Sequence, residues 1–252
     1  MPPKEDTFSL AGRTILVTGA SSGIGRQIAI SCAGRGANVW VTARREDALR
    51  ETVQSMPGKG HQFVCADLTA QDDIERLVSR IPVLDGIVHC AGTSERRPCK
   101  MITKEHIRQL MDTNFTAPVL LQTELLKQRK VSSGASVVFI ASRAAAYPSP
   151  GNAIYSASKG ALISFAKCLG IELSSRKIRV NCICPGMVWT DLIKEQGLEE
   201  ADLHEAELRY PLKRFGTPTD VAGLVVYLLS DISAWMTGSC LDITGGGEGI
   251  LV

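Results

Sequence analysis

The sequence predicts a single α/β domain over residues 1–252, with about seven parallel strands covered by helices on both faces. Three observations predict it. Short apolar, β-branched runs alternate along the chain with stretches of helical period. A glycine-rich turn joins the first such run to the first helix. The composition, 44% hydrophobic and 21% charged over 252 residues, suits one large core and gives no reason to divide the chain.

Thr14-Ile15-Leu16-Val17 is apolar and β-branched without polar alternation, the pattern of a strand buried on both faces. TGASSGIG, from Thr18 to Gly25, follows directly. Over 24–35, Ile24, Ile28, Ala29 and Cys32 then recur at helical spacing. Further strands read at 38–42, 62–65, 86–89, 136–141, 178–183 and 239–243, and helical periodicity fills most gaps. One helical stretch begins near Lys104. Strands that alternate with helices are joined by right-handed crossovers, so the sheet is expected to be parallel. The segment 188–216 breaks the alternation. Its Trp189, Leu192, Ile193, Leu203, Leu208 and Tyr210 are too apolar for a surface linker, and either close over a ligand or dock the segment to the core.

A net charge of +2, with no long basic run, gives no footprint for nucleic acid. No apolar run approaches the ~18 residues that span a bilayer. Lys4, Glu5 and Asp6 interrupt any leader-like core, so a cytoplasmic location is expected. The eight cysteines lack paired zinc-site spacing, and no metal is expected. Cys65, Cys182 and Cys184 sit in apolar runs as small hydrophobes, the last two on one face of a strand.

Chemistry enters through two motifs. Strand, glycine turn and helix is the context in which a dinucleotide pyrophosphate rests on a helix N-terminus. In it Gly19 permits the turn, Gly23 admits the phosphates and Gly25 lets the helix pack against the strand. Tyr155 and Lys159 are four residues apart, hence on one helix face. An ammonium beside a phenol lowers its pKa and makes it a usable acid or base, although such a pair is also common on solvated helices.

Together with Ser142 after the strand at 136–141 and Asn114 in a helix, these motifs resemble the short-chain dehydrogenase/reductase family, from about residue 13 to 246. The resemblance implies a Rossmann-type doubly wound sheet and a tetrad of Asn114, Ser142, Tyr155 and Lys159. In it Ser142 and Tyr155 hydrogen-bond and protonate a carbonyl oxygen. Lys159 tunes Tyr155 and binds the nicotinamide ribose, and Asn114 holds a water. The glycine turn with Ser21, Ser22 and Ile24, then Asp67 and Leu68, then Cys90, Ala91 and Gly92, would hold the adenosine half of the cofactor. Pro185, Gly186, Val188 and Thr190 would hold the nicotinamide. At the end of the second strand, where a ribose-binding acid is usual, stand Ala43 and Arg44, which implies NADP(H) in preference to NAD(H). Arg45 is expected to face solvent. His89-Cys90-Ala91-Gly92 departs from the family's Asn-Asn-Ala-Gly, and His89 reads as a structural histidine.

The implied reaction is reduction of a carbonyl to a secondary alcohol. The group most resembled is the 3-oxoacyl-(acyl-carrier-protein) reductases; a sugar, a steroid or another small alcohol is the alternative. A silent dinucleotide sensor would usually have lost Ser142, Tyr155 or Lys159, and all three are present. Arg143, Trp189, Leu192 and Ile193 are candidate substrate contacts beside Ser142. Arg143 either selects an anionic group or pairs with a surface acid. Lys127, Arg129, Lys130, Arg176 and Lys177 are available to an acidic carrier protein near the site's mouth. Apolar residues on more than one face of the helices holding Phe115, Val119, Leu120 and Leu125, and Leu162, Phe165, Leu169 and Ile171, predict a homotetramer, as does the tail Gly249-Ile250-Leu251-Val252.

Overall fold

Seven parallel strands form one sheet in the order β3-β2-β1-β4-β5-β6-β7, in a computed structural model that describes residues 7–194 and 200–247. The strands are β1 (Thr14–Thr18), β2 (Asn38–Ala43), β3 (Gln62–Cys65), β4 (Leu84–His89), β5 (Val131–Ile140), β6 (Arg179–Pro185) and β7 (Cys240–Ile243). The expected alternation therefore closes into a doubly wound sheet. Its order reverses between β1 and β4, and at that switch point a crevice opens beyond the strands' carboxyl ends.

Side-chain alternation splits the core in two. Leu16, Ile87, Val137, Phe139, Val180, Cys182 and Cys184 point to one face. There α3 (Gln71–Arg80), α5 (Ala117–Lys127) and α6 (Ala153–Glu172) cover them through Leu77, Leu121 and Leu162. Ile15, Val17, Val88, Val138 and Ile183 point to the other face, onto α1 (Gly23–Gly34), α2 (Glu46–Ser55) and α9 (Pro218–Leu229). Because both faces are buried, the strands carry the near-continuous apolar runs seen in the sequence.

The helix expected to begin near Lys104 is α4 (Lys104–Met111). It is started by a capping box between Thr103 and His106, and runs into α5 through one π turn, Asp112–Thr116. The segment after β6 carries two helices, α7 (Asp191–Lys194) and α8 (Glu200–Arg209). It packs a small core of its own from Ile193, Leu203, Ala206, Tyr210 and Phe215. So most of its apolar residues dock the segment, while Leu208 is exposed. The leader residues Lys4, Glu5 and Asp6, the tail 249–252 and the Leu192 side chain lie outside the described residues. All eight cysteines are free thiols, with Cys182 and Cys184 buried on one face as expected. No described helix is long and apolar enough to cross a membrane, and the described residues hold no metal-ligating cluster.

Candidate active site

Two adjoining cavities occupy the crevice. The larger, about 550 Å³, runs along the glycine turn and is lined by Gly19, Ser21, Ser22, Gly23, Ile24, Gly25, Arg44, Asp67, Leu68, Cys90, Ala91 and Gly92. The second, about 210 Å³, is lined by Ser142, Arg143, Tyr155, Lys159, Pro185, Gly186, Val188 and Ile193. Ile24, Cys90, Gly92, Thr93 and Thr190 belong to both, so the cavities meet there.

The larger groove is shaped by missing side chains. A Cβ on Gly19, which has φ +66°, would stand 2.7 Å from Ala91 Cα; one on Gly25 would stand 2.4 Å from the Gly19 carbonyl oxygen. Only glycine brings the turn, the start of α1 and the strand ends this close. The Thr18 hydroxyl, at the end of β1, accepts the Cys90 and Ala91 N–H groups at 3.0 and 3.1 Å. That bond braces the loop after β4, where Cys90 replaces an amide. His89, just before it, stacks on Phe139 at 4.5 Å and meets Gln122 Oε1 through Nε2 at 3.0 Å, as a structural histidine should.

The cation pattern at β2 differs from expectation in one respect. Arg45 does not simply face solvent: its guanidinium donates to Ser21 Oγ at 3.3 Å and Ser22 Oγ at 3.2 Å, and it lines the groove beside Arg44. The sequence signal was present in the Arg44-Arg45 pair itself. A groove of this size, floored by glycine and edged by two guanidiniums, fits a dinucleotide.

In the second cavity Ser142, just past β5, lies beside the Tyr155 phenol. Tyr155 is half-buried as a residue, and the protein packed around its hydroxyl pushes its pKa up; the Ser142 hydroxyl opposes this. Lys159 is buried. Its Nζ donates to the Ile140 carbonyl at 2.9 Å and lies 5.9 Å from the centre of the Tyr155 ring. Burial pushes the Lys159 pKa down to about 8. The expected depression of the Tyr155 pKa is not seen: desolvation is the largest cause and pushes it up.

Asn114 lines neither cavity. It sits fully buried in the π turn, with Oδ1 accepting from Thr93 N at 2.8 Å and Nδ2 donating to Thr93 O and Ser158 Oγ at 2.9 and 3.1 Å. Its side chain therefore ties the loop after β4 to α6, one residue before Lys159. A Cβ on Gly92 would stand 3.2 Å from Asn114 Oδ1 and 3.3 Å from Lys159 Nζ, so Gly92 is what lets these two approach the cavity junction.

Of the candidate substrate contacts, Trp189 is corrected. Its indole turns away into the small core of the segment after β6, against Phe215 at 5.3 Å, with Nε1 donating to Glu207 at 2.6 Å. An apolar ring with one N–H is better satisfied there than at a wet cavity. Arg143 lines the cavity and, as one of its two expectations had it, pairs with an acid, Asp242, at 2.6 Å. Tyr210, named from the sequence within 188–216, lines the same cavity, as do Tyr147 and Arg96, which were not singled out because nothing local marks a loop residue that folding brings to a site.

The basic residues read as a carrier surface are not at the mouth. Lys127 to Lys130 precede β5, and Arg176 and Lys177 precede β6, so all lie at the amino-terminal edge of a parallel sheet. Lys130 Nζ donates to Ile81 O at 2.6 Å, and Arg176 donates to Val131 O. From Tyr155 to Arg176 is roughly 30 Å at 1.5 Å per helical residue.

Comparison with known proteins agrees with this geometry. The model of a family described as Enoyl-(Acyl carrier protein) reductase matches residues 19–248. The Dehydrogenase/reductase SDR family member 4 of Homo sapiens is 35% identical over 94% of this chain and 88% of its own. A 3-oxoacyl-(acyl-carrier-protein) reductase of Rickettsia felis is 30% identical over 95% of this chain and 98% of its own. Among solved structures, an actinorhodin polyketide ketoreductase with NADPH superposes with a TM-score of 0.86 at 30% identity, covering 94% of this chain and 97% of that one. Fold, site and relatives define an NAD(P)-dependent oxidoreductase acting on CH–OH and C=O groups. The chain belongs to the short-chain dehydrogenase/reductase family.

Proposed function

We propose that this enzyme is an NADPH-dependent carbonyl reductase that converts a ketone, or a 3-oxoacyl thioester, into a secondary alcohol. The observation that carries the reading is the convergence of Ser142, Tyr155 and buried Lys159 on one cavity that meets the glycine-floored groove. When bound, the nicotinamide supplies the hydride that reduces the carbonyl carbon. Ser142 donates a hydrogen bond to the carbonyl oxygen as charge builds there, and Tyr155 protonates it. Lys159, with Nζ at the floor of the junction, would bind the ribose hydroxyls and favour recovery of the phenol's proton. Asn114 acts through position, fixing Thr93 and the turn of α6 that carries Ser158 and Lys159.

Arg44 and Arg45, with Ala43 in place of a carboxylate, support the phosphorylated cofactor. A charge-assisted contact is worth roughly 1.5–3 kcal/mol, or about ten- to a hundredfold in specificity. Measuring kcat/KM for a diketone with both cofactors tests this. The wild-type should favour NADPH, and Ala43→Asp with Arg44→Ala should move the preference to NADH; a wild-type ratio near one would sink the cofactor assignment.

A homotetramer completes the proposal. Leu125, Leu162 and Leu169 belong to the subunit's own core, but Leu120 is 41% exposed, Ile171 76% and Trp235 98%. Light scattering should report about four times the 27.1 kDa chain mass. An acyl carrier docked on Arg176 would reach a catalytic cavity only across such a subunit contact, because within one chain that arginine lies at the far edge of the sheet. The eight free thiols support a reducing, cytoplasmic compartment.

A further inference from the structure

Two thiols that line neither cavity stand side by side at the edge of the sheet. Cys182 on β6 and Cys240 on the edge strand β7 are register partners in a parallel ladder, so their side chains leave the same face. Neighbouring strands lie about 4.8 Å apart, inside the roughly 4.4–6.8 Å between Cα atoms that a disulfide spans. Cys184 shares that face, but its register partner is Asp242. Same-face positions along one strand are about 6.6 Å apart, too far for Cβ atoms that a disulfide holds at about 3.8 Å. Cys240 is therefore the thiol that Cys182 meets. The two differ in access: Cys182 is 1% exposed, whereas Cys240 is at the surface. They differ in acidity in the same sense. The Cys182 thiol draws the Cys240 pKa down to about 7, opposed by burial and helped by Lys167. Cys240 and burial together push Cys182 up. The reachable sulfur thus carries the thiolate, and the buried one waits behind it as a thiol.

We infer that Cys240 and Cys182 form a reversible oxidation site, at which hydrogen peroxide converts the two thiols into a disulfide that lowers turnover. The Cys240 thiolate attacks one peroxide oxygen, the O–O bond breaks and hydroxide leaves, giving a sulfenic acid at Cys240. The Cys182 sulfur then displaces the sulfenic hydroxyl; with the Cys182 proton it departs as water, and the S–S bond forms. Two electrons pass from the thiol pair to the peroxide, whose oxygens end as water. A resolving thiol this close stops the oxidation at the disulfide, short of sulfinic acid. Exchange with a small dithiol returns both thiols. Such transient bridges suit a reducing compartment. Closing the bridge draws the edge strand toward β6. Two contacts carry that displacement to the catalytic cavity: Asp242, two residues beyond Cys240, holds Arg143, and Gly186 in the cavity wall donates to Ile243 O at 2.9 Å.

The test treats the purified, fully reduced enzyme with a small excess of hydrogen peroxide. Thiols are then alkylated and mapped by mass spectrometry, with turnover of a diketone followed in parallel. The wild type should lose two hydrogens, show a Cys182–Cys240 bridge within one chain, and lose turnover as the bridge accumulates. Dithiothreitol should restore both thiols and turnover. Cys182→Ala keeps the buried position apolar and removes the resolving thiol, so Cys240 should accumulate as a sulfenic acid trapped by dimedone and pass on to sulfinic acid. Cys240→Ser should leave Cys182 unoxidised at the same dose. Cys99 and Cys168, both exposed, are controls within the chain. Oxidation confined to those two, or a bridge from Cys240 to another chain, overturns the inference. So does sulfinic acid that forms on Cys240 equally in wild type and Cys182→Ala, or a fully bridged enzyme with unchanged turnover. If the reduced enzyme turns over no ketone, the carbonyl-reductase reading falls, and the mapping still decides the oxidation site.

Discussion

Acidification should destabilise this protein through one residue, His89. The ring is buried between β4 and α5, stacked on Phe139, with Nε2 directed at the Gln122 carbonyl oxygen. Burial pushes its pKa from 6.5 down to about 4, against a smaller upward pull from the Gln122 bond. The remaining nitrogen, Nδ1, is buried without a hydrogen-bond partner, so a second proton would arrive as an unsatisfied donor. The unfolded chain accepts that proton near pH 6.5 and the folded chain only near pH 4. Stability is therefore complete above the unfolded value and declines as the pH falls between the two. Linkage gives a loss of about 2 kcal/mol between pH 7 and pH 5. For a chain of this size that corresponds to a fall of roughly 4–8 °C in Tm. Urea unfolding followed by circular dichroism at the two pH values measures it. His89→Asn removes the titrating ring, so the same acidification should cost that variant about 2 kcal/mol less. If wild type and His89→Asn lose equal stability over this window, the histidine is not the acid-labile group and the argument from its burial is wrong.

Tyr155→Phe should lower kcat about 10²- to 10⁴-fold with cofactor affinity nearly intact, whereas Lys159→Met should damage both; equal losses of cofactor affinity in the two would contradict that division. Because a lysine pKa drawn from 10.5 to about 8 reflects a buried charge, Lys159→Met should also be more stable at pH 7, by about 2–3 kcal/mol, with the gain fading above pH 8. Gly25→Ala places a methyl 2.4 Å from the Gly19 carbonyl, and should cost about 1–3 kcal/mol and weaken the cofactor Kd measurably; an unchanged Kd would show that the turn can shift freely. Glu207 accepts from Trp189 Nε1 and Phe215 N through Oε1 and from His204 through Oε2. Glu207→Ala strands two buried donors and should speed proteolysis within 188–216, while Glu207→Gln, keeping an acceptor at Oε1, should do so less; equal cleavage of wild type and Glu207→Ala would refute the anchoring role.

The strands were legible because burial on both faces leaves an uninterrupted apolar run, and β3 was read to the residue. β5 was not. It begins at Val131, five residues ahead of its apolar run, and its ladder shifts register between Leu84 and Gly86 to accommodate Ser132-Ser133-Gly134-Ala135. No apolar period marks a strand with such a bulge. The strand β6 runs on through Pro185, opposite Ile243, where a proline would ordinarily be read as a stop. At the site, Ser142, Tyr155 and Lys159 were visible because their chemistry is carried by residue type and local spacing. Trp189, Arg96 and the distant basic residues were not placed correctly, or not noticed, because their surroundings are set by contacts between segments far apart in the chain. Glu207 could not be distinguished from the other acids of α8 until Trp189 and Phe215 were seen to converge on it.

The π turn between α4 and α5 gives this stretch of chain one residue of local slack. At Asp112–Thr116 the Ala117 N–H bonds to the Asp112 carbonyl, five residues back, so the turn holds one residue more than an α turn would. In a continuous α-helix an added residue would rotate everything after it by about 100°, whereas the π turn takes it up on the spot. Leu121 and Leu125 therefore stay fully buried against the sheet. Asn114 lies inside the widened turn, where its amide meets Thr93 and Ser158. The helix thus carries its buried amide on a residue that the packing of the α5 core face does not need.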